Sequence, residues 1–308
     1  MMGDGAGGVE PGGPLLLSRR TARVLLGVLT LLAAPLLGVG GRAGAASYPL
    51  NAHYTVGPVL PGCAQGRAST IAIPDAFAAG GKRKVWVYRP AVPDDRSLPV
   101  LYVLHGLPGT SDDLYRSGVA AALERAVCAG ASPFVVVAPD GATPGVADNE
   151  WADDAQGRFK LESWLTGRLI GAVEGSRHRP AGDRALAGFS MGGFAATSIA
   201  LRHPGLYGSV AALSGYFHID DPDGVFHGVE AAHDPTALAG RARGLRVYLG
   251  DGDIQSDPVT DGETPRYGNL LHSERTRLEV VMVHGTHSLA TVRTLVPSLV
   301  RFLDAGWA

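Results

Sequence analysis

The sequence predicts an α/β fold in which helices cover both faces of a mostly parallel central sheet. Short apolar runs, several of them rich in Val and Leu, alternate along the chain with longer stretches of helical pattern. Runs that are apolar throughout are typical of strands buried on both faces, and regular strand–helix alternation is typical of parallel sheets. Because ligands of such sheets bind at the carboxyl ends of the strands, residues that directly follow an apolar run are the candidate functional residues.

The predicted elements begin at residue 85, after a Pro- and Gly-rich stretch over residues 47–80 that we expect to be irregular. The predicted strands are Val85–Tyr88, Val100–Leu104, Phe134–Ala138, Ala185–Leu186, Val210–Leu213, Arg246–Leu249 and Leu278–Val283. The predicted helices are Leu114–Ala129, Leu161–Arg177, Met191–His203 and Ser288–Leu303. No internal repeat interrupts this order, so we expect one domain over residues 46–308.

The first 45 residues predict an export leader. The basic segment Ser18–Arg23 precedes the apolar run Val24–Val39, and Ala43–Ala45 fits the small-x-small pattern of a cleavage site. The apolar run is shorter than the roughly 20 residues that a membrane span needs. We therefore expect a signal peptide over residues 1–45 and a protein of the cell envelope or exterior, without a stable membrane span after cleavage. An uncleaved anchor is the alternative, and the route of export stays open.

The composition is that of an ordinary globular protein, with 45% hydrophobic and 18% charged residues and a net charge of -2. No block of Lys and Arg occurs, so we expect neither nucleic acid nor an anionic membrane surface as a partner. The two cysteines, Cys63 and Cys128, leave open one disulfide or two separate buried thiols. Histidines and cysteines lack the spacing of a metal site, and we expect neither a metal nor a cofactor.

The strongest motif is the segment Gly188–Gly193, with the sequence GFSMGG, between a predicted strand and a predicted helix. A serine at such a sharp strand-to-helix turn needs small residues two positions before and after it, and Gly188 and Gly192 meet that need. The turn raises the hydroxyl of Ser190 above the carboxyl edge of the sheet. Ser190 is therefore the predicted nucleophile.

A serine hydroxyl needs a base, and the base in turn needs an acid that holds its tautomer. In this strand–turn–helix setting the chain order is serine, acid, histidine. His287 lies in the loop between the last predicted strand and the last helix and is the predicted base, with His284 as the substitute. The acid is expected in the loop after Arg246–Leu249, where Asp253 is preferred over Asp251 and Asp257.

The negative charge of the reaction intermediate needs two backbone N–H donors. One is expected from Met191, directly after the nucleophile, and the other from Leu107, in the loop after Val100–Leu104. Pro108 has no N–H and cannot donate. His105 is expected to sit in the core or to position this loop, and is not assigned to catalysis.

These motifs resemble the esterase D-like branch of the α/β-hydrolases, which includes secreted carboxylesterases, feruloyl-esterase-like domains and the mycobacterial mycolyltransferases. The resemblance covers roughly residues 82–303 and is carried by the order and spacing of His105–Leu107, Ala138–Gly141, Asn149–Trp151, Glu162–Thr166, Gly188–Gly193, Ala212–Gly215 and Gly285–Ser288. It implies Ser190 as nucleophile, His287 as base, and Leu107 and Met191 as the oxyanion donors.

The sequence departs from the mycolyltransferase pattern in two places. Where those enzymes carry an Asp and an Arg around the oxyanion Leu, this chain has His105 and Pro108. They also take their acid from a helix, whereas Glu274 here precedes His287 by only 13 residues. The run Gly250–Asp253 is more similar to the plain esterases.

The sequence therefore predicts a serine carboxylesterase that hydrolyses acyl esters of small molecules, lipids or sugars through an acyl-Ser190 intermediate. The same residues would serve acyl transfer to a sugar or glycerolipid hydroxyl, which is the first alternative. A non-catalytic binding protein on the same fold is the second, and the presence of Ser190, His287 and a candidate acid disfavours it. The acyl group, the alcohol and the oligomeric state are not predicted.

Overall fold

The computed structural model describes residues 53–54, 60–92, 97–176 and 179–307, without the side chains of residues 53, 54, 114 and 115. The predicted leader, residues 1–45, lies outside this part of the chain. Within it, no helix is both long enough and apolar enough to cross a membrane.

A single twisted sheet organises the described residues, as the sequence predicts. Its strands are β1 (His53–Tyr54), β2 (Arg67–Pro74), β3 (Lys82–Arg89), β4 (Val100–Leu104), β5 (Val135–Pro139), β6 (Arg184–Phe189), β7 (Ser209–Leu213), β8 (Arg246–Gly252) and β9 (Arg277–Val283). Their order across the sheet is β1-β2-β3-β5-β4-β6-β7-β8-β9. The first three strands pair antiparallel with their neighbours, and every pair from β5 to β9 is parallel.

Helices cover both faces of the sheet. They are α1 (Asp113–Ser117), α2 (Val119–Cys128), α3 (Leu161–Ser163, continued by a π-helical stretch Trp164–Leu169 and by Ile170–Glu174), α4 (Met191–Arg202), α5 (Glu263–Ser273) and α6 (Leu289–Asp304). One core packs against α3, α4 and α5, and the other against α2 and α6. Within β4, Tyr102 joins the first core and Leu101 the second, as expected for a strand buried on both faces.

The structure corrects three expectations about the elements. Residues 47–80 are not irregular throughout, because β2 pairs along its whole length with β3. The first two buried residues of β2, Ala68 and Thr70, are small or polar, which hides the alternation in the sequence. Helix α5 was not predicted, since it contains Pro265 and Gly268. The predicted helix Leu114–Ala129 is two helices that break at Gly118, which has a φ of 79°.

The two cysteines form a disulfide. Cys63 lies before β2 and Cys128 ends α2, and their Cα atoms are 5.8 Å apart. The bridge closes a loop of 65 residues and ties the N-terminal part of the described chain to the helical layer. The alternative of two separate thiols is therefore excluded.

Candidate active site

Ser190 occupies a sharp turn between β6 and α4. Its backbone has φ 56° and ψ −123°, a conformation that a residue with a side chain adopts only when its surroundings impose it. A Cβ on Gly188 would lie 1.9 Å from the carbonyl oxygen of Gly192, and one on Gly192 would lie 2.3 Å from that of Leu104. The two glycines therefore allow the strand, the turn and the helix to approach one another as the sequence predicts.

The side chains of Ser190 and His287 meet at this turn, although the residues are 97 positions apart. The distance from Ser190 Oγ to His287 Nε2 is 3.0 Å. His287 lies between β9 and α6, and its ring stacks on Phe189 with centroids 4.8 Å apart. The geometry is that of a nucleophile and a base within hydrogen-bond reach.

The loop after β4 lies against the same turn. A Cβ on Gly106 would be 2.9 Å from the Cβ of Ser190, so the backbone of Gly106 lies in close contact with Ser190. Met191, the first residue of α4, flanks Ser190 on the other side. Of the predicted oxyanion donors, Met191 thus directly follows Ser190 and Leu107 directly follows Gly106, and the N-terminus of α4 adds a favourable dipole beside Ser190.

His105 holds the loop of Leu107 in place. Its Nδ1 is 2.9 Å from the carbonyl oxygen of Gly106, and its Nε2 accepts a hydrogen bond of 2.9 Å from the N–H of Gly141. Because Nε2 accepts, the ring proton is on Nδ1 and donates to Gly106. Burial lowers the pKa of His105, which favours this neutral form. His105 is therefore a loop-positioning residue, one of the two alternatives that the sequence left open.

A second set of residues that the sequence analysis did not assign supports the same loop. The indole Nε1–H of Trp151 donates to the carbonyl oxygen of His105 at 3.1 Å. The side chain of Asn149 donates to Gly141 and accepts from the N–H of Trp151. The motif Asn149–Trp151 was visible in the sequence, but its partners are far along the chain and could not be identified from it.

The three candidate acids lie near the carboxyl end of β8, and within the described part of the chain none of them forms a hydrogen bond or ion pair with His287. Asp253 accepts from His284 Nδ1 at 3.1 Å and from the N–H of Gly285 at 3.2 Å. Asp251 accepts from the N–H of the next residue. Asp257 accepts from two backbone N–H groups of its own loop. The preferred acid is thus paired with the substitute base rather than with His287.

The ring nitrogen of His287 that faces away from Ser190 has a different neighbour. His287 Nδ1 is 3.3 Å from Thr260 Oγ1, and the Thr260 side chain is buried. The backbone N–H of His287 also donates to Ser256 Oγ at 3.1 Å. Neither residue was predicted from the sequence, because a Ser and a Thr in a polar loop carry no recognisable pattern.

A buried carboxyl group lies in the segment that supports the oxyanion loop. Glu150 directly precedes Trp151, and each of its carboxylate oxygens is 2.7 Å from the hydroxyl of Tyr216. Burial raises the pKa of Glu150 well above its ordinary value. Burial, followed by the charges of nearby acidic residues, raises the pKa of Asp148 to about 6. In this segment the surroundings thus raise the pKa of two carboxyl groups, those of Asp148 and Glu150.

No group of three or more His, Cys, Asp or Glu side chains within the described residues is arranged to hold a metal ion. The side chains of the site can support nucleophilic attack by Ser190 and proton transfer to His287. Backbone N–H groups can stabilise the negative charge that forms.

The comparisons with known proteins agree with this architecture. Residues 77–287 match the model of the family described as "Putative esterase". Over 131 residues the chain is 34% identical to Esterase Rv1288 of Mycobacterium tuberculosis, a match that covers 40% of this chain and 28% of that relative. The chain thus spans little more than a quarter of the length of the curated relatives it matches.

Two solved structures show the same fold. A ferulic acid esterase superposes with a TM-score of 0.69 at 19% identity, covering 78% of this chain and 98% of that structure. Mycobacterium tuberculosis MPT51 (FbpC1) superposes with a TM-score of 0.63 at 18% identity, covering 78% of this chain and 99% of that structure. Together with the family match over most of the chain, the fold confirms the resemblance to α/β-hydrolases. The chain belongs to the Esterase family.

Proposed function

We propose that this protein is a serine esterase that hydrolyses acyl esters through an acyl-Ser190 intermediate. The single observation that carries the proposal is the 3.0 Å contact between Ser190 Oγ and His287 Nε2 at a strained turn between β6 and α4. A nucleophile and a base at this distance, with two backbone donors beside them, are the parts that acyl transfer to water needs. Membership of the Esterase family supports the same reaction.

The proposed reaction has two halves. Ser190 Oγ attacks the ester carbonyl carbon while its proton moves to His287 Nε2, and the N–H groups of Leu107 and Met191 stabilise the resulting oxyanion. The C–O bond to the alcohol then breaks, and the leaving alcohol takes the proton from the imidazolium of His287. Water attacks the acyl-enzyme with His287 again as base, and the second tetrahedral intermediate releases the acid and restores Ser190.

Hydrolysis is favoured over transfer to a disaccharide because the residues around Leu107 offer few hydrogen-bond donors to a bound sugar. Both ring nitrogens of His105 are occupied by backbone groups, those of Gly106 and Gly141, and its side chain is only 7% exposed. Pro108 has neither an N–H nor a polar side chain. A disaccharide bound here would leave several hydroxyl groups unpaired. The proposed substrates are therefore acyl esters of small molecules, lipids or sugars with water as the acceptor.

The proposed location is the cell envelope or the exterior. The order of basic, apolar and small residues up to Ala45 supports export, with a mature chain that begins near Ala46. The disulfide between Cys63 and Cys128 also supports it, because disulfides persist in oxidising compartments.

The direct test is the Ser190→Ala variant, assayed with p-nitrophenyl esters of graded acyl length and with a fluorophosphonate probe. We expect kcat to fall by roughly three orders of magnitude or more, and probe labelling to disappear, because the nucleophile is removed. Ser214→Ala is the matched control, since Ser214 is a buried serine at the end of the neighbouring strand and its hydroxyl has no partner within the described residues. Full activity of Ser190→Ala would reject the proposal.

The acceptor is tested by adding excess trehalose to the acyl donor in water and measuring free acid against acyl-trehalose. Free acid is expected as the main product. Acyl-trehalose as the main product would replace hydrolysis with acyl transfer as the function of the same site.

A further inference from the structure

We infer that Thr260 is the residue that positions His287, in the place where serine hydrolases usually have a carboxylate. The inference rests on the proposed function, because it concerns the same histidine. It follows from the contacts of the two ring nitrogens of His287. One is 3.0 Å from Ser190 Oγ, and the other is 3.3 Å from Thr260 Oγ1.

The protonation state follows from the reaction. His287 Nε2 can accept the proton of Ser190 only if it carries none itself, so the ring proton of the resting enzyme is on Nδ1. The Nδ1–H then donates to Thr260 Oγ1. This hydrogen bond selects the tautomer that catalysis needs, which is one of the two tasks of a triad acid. The other task, neutralising the imidazolium, is not performed by a neutral hydroxyl.

The loop that carries Thr260 holds His287 at two points. Besides the contact of Thr260 with the ring, Ser256 Oγ accepts from the backbone N–H of His287 at 3.1 Å. Two carboxylates of the loop brace it from within. Asp257 Oδ1 accepts from the N–H groups of residues 259 and 260, and Asp261 Oδ1 accepts from those of residues 256 and 257. Asp257 therefore acts on the shape of the loop and not on the ring.

The different burial of Thr260 and Asp253 fits their different roles. Thr260 is 4% exposed, so water competes poorly for the ring proton of His287. Asp253, in contrast, is half exposed and is paired with His284, whose side chain is 83% exposed. A hydrogen bond in the buried position orients the ring, whereas an exposed ion pair at the rim contributes little to it.

The test is the kinetic comparison of Thr260→Val and Thr260→Ser with the unaltered enzyme. Valine keeps the shape of threonine and removes the hydroxyl, so we expect kcat to fall roughly tenfold with KM changed less than about twofold, the loss of one neutral hydrogen bond. Serine restores the hydroxyl, and most of the activity is expected to return. A merely structural role for Thr260 would not show this rescue.

Thr264→Val is the matched control. Thr264 is a fully buried threonine on α5, four residues further along, and its hydroxyl has no partner in the described part of the chain. We expect this variant to keep its activity within about twofold. In addition, the Nδ1–H proton resonance of His287 is expected to shift in Thr260→Val and to stay in place in Thr264→Val.

The Asp253→Asn variant tests whether the Thr260 hydroxyl or the Asp253 carboxylate positions His287. If Thr260 positions His287, Asp253→Asn lowers kcat less than Thr260→Val does. A loss of more than about a hundredfold in Asp253→Asn, with Thr260→Val near the unaltered enzyme, would overturn the inference in favour of Asp253. Fluorophosphonate labelling tests the proposed function separately from the role of Thr260. If the Ser190→Ala variant is still labelled, the proposed function itself is rejected, whatever the Thr260 variants show.

Discussion

The two halves of the candidate site are built by different means. Around Ser190 the backbone itself is in contact, since the turn fits only because glycines stand at positions 188, 192 and 106. Around His287 the contacts run between side chains and loops: Thr260 and Ser256 hold the histidine, and the Asp253–His284 pair lies exposed at the rim. Ser190 is therefore positioned by close packing and His287 by a few hydrogen bonds. We expect changes around Ser190 to affect stability and changes around His287 to affect mainly activity.

The largest expected effect comes from Gly188→Ala. Its new methyl group would overlap the carbonyl group of Gly192, so the turn must open, and we expect a loss of about 3 kcal/mol or more in the free energy of unfolding. Gly171→Ala is the control, because Gly171 lies in α3 with open space around its Cβ position. That variant is expected to gain about 0.5–1 kcal/mol. Equal stability of the two variants in denaturant titrations would contradict the account of close packing.

A smaller effect is expected from Asp148→Asn, and it depends on pH. The pKa of Asp148 is raised from 3.8 to about 6 in the folded protein, so folding favours the protonated carboxyl. Stability from this group is complete below pH 3.8 and is lost as the pH rises to about 6. Because the carboxyl is partly solvated, we expect the variant to gain about 1 kcal/mol at pH 7 and nothing near pH 3.5. Thermal unfolding at both pH values measures this, and a gain of equal size at the two would contradict the sign.

The smallest effect is expected from His284→Gln. The variant removes the ring that donates to Asp253, but both side chains are largely exposed. We expect a change below about 0.5 kcal/mol in stability, because exposed pairs contribute little. We also expect kcat to stay within about threefold. A clear rise in kcat would show that Asp253, once released from His284, reaches His287, and that the two sides of the site differ less than the structure indicates.

The sequence by itself determined the parts of the site that depend on local geometry. A serine between small residues, placed after an apolar run and before a helix, is typical of a sharp strand-to-helix turn, and the structure has this turn at Ser190. Strands β4 to β8 were predicted because burial on both faces requires runs that are largely apolar, whereas β9 is an apolar edge strand without a buried residue. His287 was predicted from its place between the last strand and the last helix, and the structure has its Nε2 3.0 Å from Ser190 Oγ.

Only the tertiary structure decided which elements and residues pair with the predicted ones. Strand β2 was not predicted because its small and polar residues form a strand through pairing with β3. Helix α5 was not predicted because its packing against β8 and β9 outweighs the unfavourable helix propensity of its Pro and Gly. The partner of His287 could not be chosen from the sequence, since three aspartates and a threonine share a short stretch of chain. Which of them reaches the ring depends on how the loop after β8 folds back, and that path is set by its hydrogen bonds rather than by its order of residues.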